Sequence, residues 1–329
     1  MSFAASAESP GAPVAARVWL LHLGLVALLF VLQFVLPDYH HGVLARVMVL
    51  SVFAMGYNVL FGYAGLLSLG HAMFFAAGLY GAGLPIYHAA LPVPLAFASG
   101  IACGAVLALS VGLLALRTTG VAFMIVTLMF AQVGYLMSLW MGAWTRGDEG
   151  LTLPRADRLV EFGPLFLDFA DRDTRFLAAW LLFTVVLIIT LWIARAPFGR
   201  VLIAIRENEE RTRMLGYDTY ANKLAAVVVS GAICASAGAA YAILFGYVGS
   251  SFASIQYSIL PLLWVLLGGA ATVLGPLLGT LFMFYVVDIT SSYTTAWLLV
   301  VGVALIALVL FFPKGVLGTV RERWLPWLP

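Results

Sequence analysis

Apolar runs long enough to cross a bilayer recur from one end of this 329-residue chain to the other, and they constrain the fold more than any other feature. About 20 helical residues cross a hydrocarbon core of roughly 30 Å. Backbone N–H and C=O groups find no partners in lipid, so such runs must be helices or the strands of a closed barrel. Barrel strands need a two-residue alternation of polar and apolar side chains, and the runs lack it. Composition agrees, since 63% of the residues are hydrophobic, against roughly 45–50% in soluble domains. The expected fold is all-α, a polytopic integral membrane helical bundle with about 8–10 transmembrane helices.

Ten segments are expected to be apolar spans: 18–36, 43–62, 64–84, 93–116, 119–141, 175–195, 223–248, 254–274, 276–290 and 295–312. The segments at 64–84 and 276–290 are short or interrupted by glycine, so either can be a re-entrant or broken helix. Residues 1–17 are small and polar, with an acid at Glu8 instead of a basic start, and are expected to form a disordered tail. Residues 313–329 form a second terminal tail. An even number of crossings places both termini on one side.

Basic residues supply the orientation. Eleven of the seventeen lie at Arg17, Arg117, the 195–223 loop, Lys314, Arg321 and Arg323, which marks that side as cytoplasmic. The opposite side carries a loop at about 142–174, where Asp148, Glu149, Asp157, Glu161, Asp168, Asp171 and Asp173 outnumber the arginines. A net charge of +2, with its charges confined to short segments, gives no support to nucleic-acid binding. Cys103 and Cys234 sit in apolar runs and provide neither a disulfide framework nor a metal site. Gly100, Gly104, Ala108 and Gly112 recur every four residues, as do Gly231, Ala235 and Ala239, making smooth faces for close helix packing.

Two segments carry more than packing. Residues 199–216 are too polar to cross lipid but have helical periodicity. Val201, Ala204, Ile205, Asn208, Thr212 and Leu215 fall on one stripe, with Arg206, Glu207, Glu209, Glu210, Arg211 and Arg213 outside it. Gly216 is placed as a C-terminal stop. Three acids on this amphipathic helix weaken a reading as a lipid anchor and favour a protein partner. The second segment, 58–83, puts Asn58, Ser68 and His71 among Gly62, Gly65, Gly70, Gly78, Gly81 and Gly83 at membrane depth. Polar groups and irregular backbone are tolerated there only inside protein or along a cavity, so Asn58, Gly62, Gly65, Ser68 and His71, with Gln132 and Gln256, are candidates for a translocation path. The pattern FGYAG at 61–65 recurs as FGYVG at 245–249, at the opposite membrane face, which suggests an inverted repeat.

The stretch from Asn58 to Phe74 resembles the N-L-x-x-G-Y-x-G-x-x-S-x-G-H-A-x-F pattern of the inner-membrane permease subunits of branched-chain amino acid ABC importers of LivM type. Phe198 to Glu209 is similar to that family's F-G-R-x-x-x-A-I-R-x-N-E loop, and TGVAFMIVTLMFAQ (119–132), GDEGL (147–151), LLGGAATVLGPLLG (266–279) and FPKGVLG (312–318) match in order. The resemblance implies a multi-pass subunit of a bacterial inner membrane, with no ATPase of its own and no bound cofactor, ATP being used by its partners. Those partners would be a second permease of LivH type, two cytoplasmic ATPases and a periplasmic substrate-binding protein. Arg200, Arg206, Glu207, Asn208, Glu209, Arg211, Arg213 and Gly216 would then belong to a coupling helix that docks on the ATPase. Arg211-Thr212 departs from the small pair usual there, which points to a matched ATPase.

Two other classes compete. An ion-coupled secondary transporter needs buried carboxylates, and the one acid inside an apolar segment is Asp288, near the end of its span. An intramembrane enzyme needs a nucleophile and base, paired acids or an H-E-x-x-H pattern, and none is present; nor is a phosphate-binding G-x-x-x-x-G-K-[ST] loop. Related permeases for urea or amides remain an alternative within the family.

Overall fold

The computed structural model describes residues 12–162, 165–294 and 314–324, with isolated positions between 296 and 310. Helix α1 (Ala12–Val35) leads into α2 (Asp38–Asn58), which continues into one π-helical turn, Val59–Tyr63. Next come α3 (His71–Ala89), α4 (Val93–Ala115), α5 (Val121–Trp140) and the single turn α6 (Gly142–Thr145). Three short strands follow, β1 (Leu151–Thr152), β2 (Leu159–Phe162) and β3 (Leu165–Asp168). Then come α7 (Arg172–Arg195), α8 (Pro197–Glu207), α9 (Glu209–Met214), α10 (Thr219–Phe245), β4 (Tyr247–Val248), α11 (Ile255–Gly268), α12 (Gly275–Tyr293) and α13 (Gly315–Arg323).

Among the described residues, α1, α2 with its π turn, α4, α5, α7, α10 and α12 are long and apolar enough to cross a membrane. Each coincides with an expected span. Helices α3 and α11 account for two more, but in both the helix is shorter than the apolar run. Residues 64–70 are irregular and α3 starts only at His71, while α11 stops at Gly268 and residues 269–274 are irregular. The segment 276–290, expected to be re-entrant or broken, is instead the continuous helix α12; the irregular backbone lies in the span before it, where Gly269 (φ +117°) and Ala271 (φ +57°) leave helical conformation. The expected span at 295–312 falls largely outside the described residues. The start of α1 at Ala12 makes residues 12–17 of the proposed tail helical, since Pro13 suits a first helical turn and the alanines after it are strong helix formers; 1–11 lie outside the described residues.

The direction of each helix follows from contacts at its ends. Arg172, at the start of α7, pairs with Asp38 at the start of α2. At the other end of α2, Arg206 of α8 donates to the Gly62 carbonyl at 2.6 Å. α2 therefore runs from a face that carries the strands to a face that carries α8, and α10 runs back. These two are the buried pillars of the bundle; α1, α4, α5 and α12 are mostly exposed. The small-residue stripes of α4 and α10 interlock as their spacing suggested. A Cβ at Gly104 would stand 2.1 Å from that of Ala235, and one at Gly231 would stand 2.3 Å from that of Ala108.

The halves of the chain share one connectivity in opposite orientation. FGYAG ends α2 at the α8 face and FGYVG ends α10 at the strand face; α3 and α11 follow at His71 and Ile255, then α4 and α12 at Val93 and Gly275. α10 packs on α3 and α4 as α2 packs on α11 and α12. The expected counterpart of α5, at 295–312, falls largely outside the described residues.

The 142–174 loop is folded, which the sequence reading did not anticipate. β2 and β3 form an antiparallel hairpin, and β1 pairs with β4, so Leu151 faces Val248 across the end of α10. Several of its acids are committed internally. Desolvation acts to raise the Asp168 carboxyl, but the Arg155 guanidinium, with a hydrogen bond at 2.7 Å, and the Ala170 N–H hold it below the usual carboxylate range. Asp171 caps α7 by accepting from Asp173 and Thr174, and Asp148 accepts from Ser250 at 3.2 Å.

Candidate functional site

The polar segment is two helices, not one. Asn208 has φ −162° and ψ 101°, which breaks the helix, and its side chain accepts from the Arg211 N–H at 2.9 Å to cap α9. Asp218 caps α10 in the same way. The break changes the buried stripe: Gly199, Leu202, Ile205 and Thr212 are buried, but Ala204, Asn208 and Leu215 are exposed. Leu215, expected to be buried, is 71% exposed because α9 ends at Met214 and the chain turns at Gly216 (φ +89°).

Charged residues of this segment divide into ties and free groups. Glu209 forms an ion pair with Lys223 of α10 and lies 3.6 Å from Arg213. Partial burial works to raise its carboxyl, but Lys223 prevails and holds it below the usual range. Arg206 pairs with Glu207 and spans the gap to α2, where its Cγ lies so close to Gly65 (φ +70°) that a Cβ there would stand 2.4 Å away. Arg200, Glu210 and Arg211 are exposed, and beside them Met214, Leu215 and Tyr217 form an exposed apolar tip.

Asn58 joins the two irregular segments. Its amide donates to the Thr272 carbonyl at 2.9 Å and accepts from the Ala271 N–H at 3.0 Å, so both ends of the side chain are spent on the α11–α12 break. Gly62 leaves the space this needs, since a Cβ there would meet the Asn58 Oδ1 at 2.1 Å. Thr272 closes the break, donating to Gly269 at 2.7 Å and accepting from the Gly275 N–H at 3.1 Å. The π turn Val59–Tyr63 sits between these contacts, and such turns concentrate at functional positions.

The remaining path candidates do not form one lining. Ser68 is buried and accepts from the Gly70 N–H. His71 is fully buried among Tyr57, Phe74 and Ser230. Ser230 donates its single proton to the Gly56 carbonyl at 2.7 Å, so at 3.0 Å the His71 Nε2 must be the donor to Ser230, and Nδ1 is left without a partner. His71 thus braces α3 against α10 and α2. Gln132 is half-buried on α5 and Gln256 is exposed in the first turn of α11; neither joins the Asn58 cluster. Asp288 accepts from the Tyr39 hydroxyl and so ties α12 to α2.

Arg46 was missed. It is the only charged residue inside α2 after Asp38, it is exposed on an otherwise buried helix, and its guanidinium lies 5.1 Å from the centre of the Phe245 ring. A lone arginine in an apolar run is a visible signal for function.

Residues 40–310 match the family described as branched-chain amino acid transport system / permease component. The chain is 27% identical over 298 residues to the high-affinity branched-chain amino acid transport system permease protein LivM of Escherichia coli K12, covering 84% of this chain and 69% of that protein. It is 32% identical over 123 residues to a probable LivM of Methanocaldococcus jannaschii, covering 36% of each. It is also 31% identical over 157 residues to the autoinducer 2 import system permease protein LsrC of Photorhabdus laumondii, covering 46% of this chain and 43% of that one. No solved structure gives a significant match.

Proposed function

This chain belongs to the family of permease components of branched-chain amino acid transport systems, and we propose on that premise that it is one of two membrane subunits of an ATP-driven importer of branched-chain amino acids. The α8 face lies in the cytoplasm of a bacterial inner membrane, both termini are on that side, and the strand face meets a periplasmic binding protein. The companion permease is of LivH type, and ATP is hydrolysed on two separate ATPase subunits.

One observation carries this reading. α8 and α9 are held to the bundle by Glu209–Lys223 and Arg206–Gly62, yet they present Met214, Leu215 and Tyr217 outward, where bare apolar side chains gain nothing from water. The acids Glu207, Glu209 and Glu210 disfavour anionic lipid as the cover, so an ATPase groove fits better. Movement of that groove would pull α8, pass through Arg206 to Gly62, and reach the α11–α12 break through Asn58.

The test is Leu215→Asp with Met214→Asp. Both positions are exposed, so membrane insertion and chain level are expected to stay normal while ATPase co-purification falls ten- to a hundred-fold and leucine uptake is lost. Full ATPase retention by the double variant would remove α9 as the docking element.

A further inference from the structure

We infer that Arg46 forms an oxyanion subsite at the strand-face end of the bundle, where it takes the carboxylate of an amino acid while the surrounding aromatic wall takes its apolar side chain. The inference rests on the amino acid import proposed above and adds the group that recognises the substrate within the membrane.

α2 and its π turn make 26 residues, about 39 Å of helix at 1.5 Å per residue, longer than a ~30 Å hydrocarbon core. Arg46 lies about 12 Å along from Asp38, three residues into the apolar run that starts at 43. A cation at that depth is unfavourable unless it faces water, a partner or a ligand. Arg46 makes no ion pair or hydrogen bond with any other described residue, although it is exposed. One turn earlier, a Cβ at Gly42 would touch nothing, so this side of α2 is open toward the strand face.

Among the described side chains, nearby charge is in cationic excess. Arg175 lies 5.9 Å from the same Phe245 ring, and Arg158 reaches the Ile243 and Leu244 carbonyls at 3.3 and 3.4 Å. The α10 terminus offers only about half a negative charge. The acids close to Arg175 are already used, Asp168 by Arg155 and Asp171 by the start of α7. Arg158 and Arg175 each have terminal N–H groups on backbone carbonyls, Arg175 through Ala170 at 2.6 Å, whereas Arg46 has no hydrogen-bond partner among the described residues for any of its N–H donors. That fork matches a carboxylate in two parallel hydrogen bonds.

The wall beside it suits the rest of an amino acid. Tyr241, Phe245, Phe252 and Tyr257 pack with ring centres 4.6–5.0 Å apart between neighbours. Tyr241 is buried, whereas Phe245, Phe252 and Tyr257 are half-buried and offer apolar edges for a branched side chain and π-faces for the α-ammonium. Phe53, stacked on Tyr257 and tilted against Phe75, closes the floor.

The test uses wild type, Arg46→Gln and Arg46→Lys. In cells lacking other leucine uptake, Arg46→Gln is expected to reduce initial uptake at least ten-fold with chain level and unfolding midpoint unchanged, and Arg46→Lys to retain an intermediate rate. In nanodiscs of phosphatidylcholine, saturation-transfer NMR is expected to show leucine methyl signals in wild type, several-fold weaker signals for leucinamide, and neither preference in Arg46→Gln. Wild-type uptake or an unchanged leucine signal in Arg46→Gln would overturn the subsite. A wild-type leucine signal that vanishes when phosphatidylglycerol is added, with Arg46-dependent stabilisation by that lipid, would also overturn it and assign Arg46 to a lipid phosphate. If leucine uptake does not depend on the chain at all, the transport reading fails, and the NMR comparison still decides whether Arg46 binds a carboxylate.

Discussion

Asn58 and Arg206 each hold parts of the backbone that no helix satisfies. Asn58 supplies a donor to Thr272 and an acceptor to Ala271, so Asn58→Asp keeps the shape but sets a carboxylate oxygen against the Thr272 carbonyl. Asn58→Leu leaves the buried Thr272 carbonyl unpaired, at about 1–3 kcal/mol, and the half-buried Ala271 N–H at less. Both variants are expected to lower the unfolding midpoint in detergent, and Gly62→Ala to do so as well, because its methyl would occupy the space of the Asn58 side chain. Arg206→Ala removes a charge-assisted bond worth about 1.5–3 kcal/mol. Because Arg206 lies on the route from α8 to α2, that variant is expected to keep ATPase binding but hydrolyse ATP without uptake. Loss of ATPase binding would place Arg206 in the docking surface instead. The importance of Asn58 and Gly62 was legible in the sequence as polar and glycine residues at membrane depth, but their use was not, since Thr272 lies more than two hundred residues away. His71 looked equally polar, and the structure buries it against Tyr57, Phe74 and Ser230 with Nδ1 unpaired.

At the scale of elements, apolar length found the helices reliably and failed where the chain leaves lipid. The β2–β3 hairpin lies in a loop, where no hydrocarbon enforces a pattern and the strands are four residues each. The α8–α9 break did leave a signal: Asn208 followed by Glu209 and Glu210 is a capping residue with acids in the first turn, but its place in a regular stripe concealed it. The tie from α9 to α10 gives a paired prediction. Lys223 is nearly buried, so Glu209→Lys is expected to destabilise by about 1–3 kcal/mol and the exchange Glu209→Lys with Lys223→Glu to recover most of it in a double-mutant cycle. The sign with pH follows from the depressed Glu209 carboxyl. Its contribution is present above the unfolded value of about 4.3 and is lost as pH falls through the lower folded value. The stability gap between wild type and Glu209→Gln is therefore expected to be constant through neutral pH and to close below about pH 4; a gap that closes near neutrality would exclude this ion pair as its source.

For the whole molecule, one irregular segment lies near each end of the pair of pillars, 64–70 beside α2 and 246–254 beside α10, as an inverted repeat would place them. The pillars are buried, so they cannot line a path to water on their own, and the more exposed helices must supply its wall. α5 and α11 touch, and they carry Gln132 and Gln256, polar side chains that meet no described partner and that lipid would penalise. Burial against a second permease across this surface removes the difficulty. Gln132→Cys and Gln256→Cys, each in a chain with Cys103 and Cys234 replaced by alanine, are expected to react with a small lipid-soluble maleimide when the chain is expressed alone. Co-expression of the companion permease is expected to slow labelling of Gln132→Cys at least ten-fold, while Gln256→Cys, nearer the strand face, stays reachable until a binding protein docks. Equal labelling of both with and without the companion would mean that this surface faces water or lipid in the working complex, and the path would have to be sought on another side of the bundle.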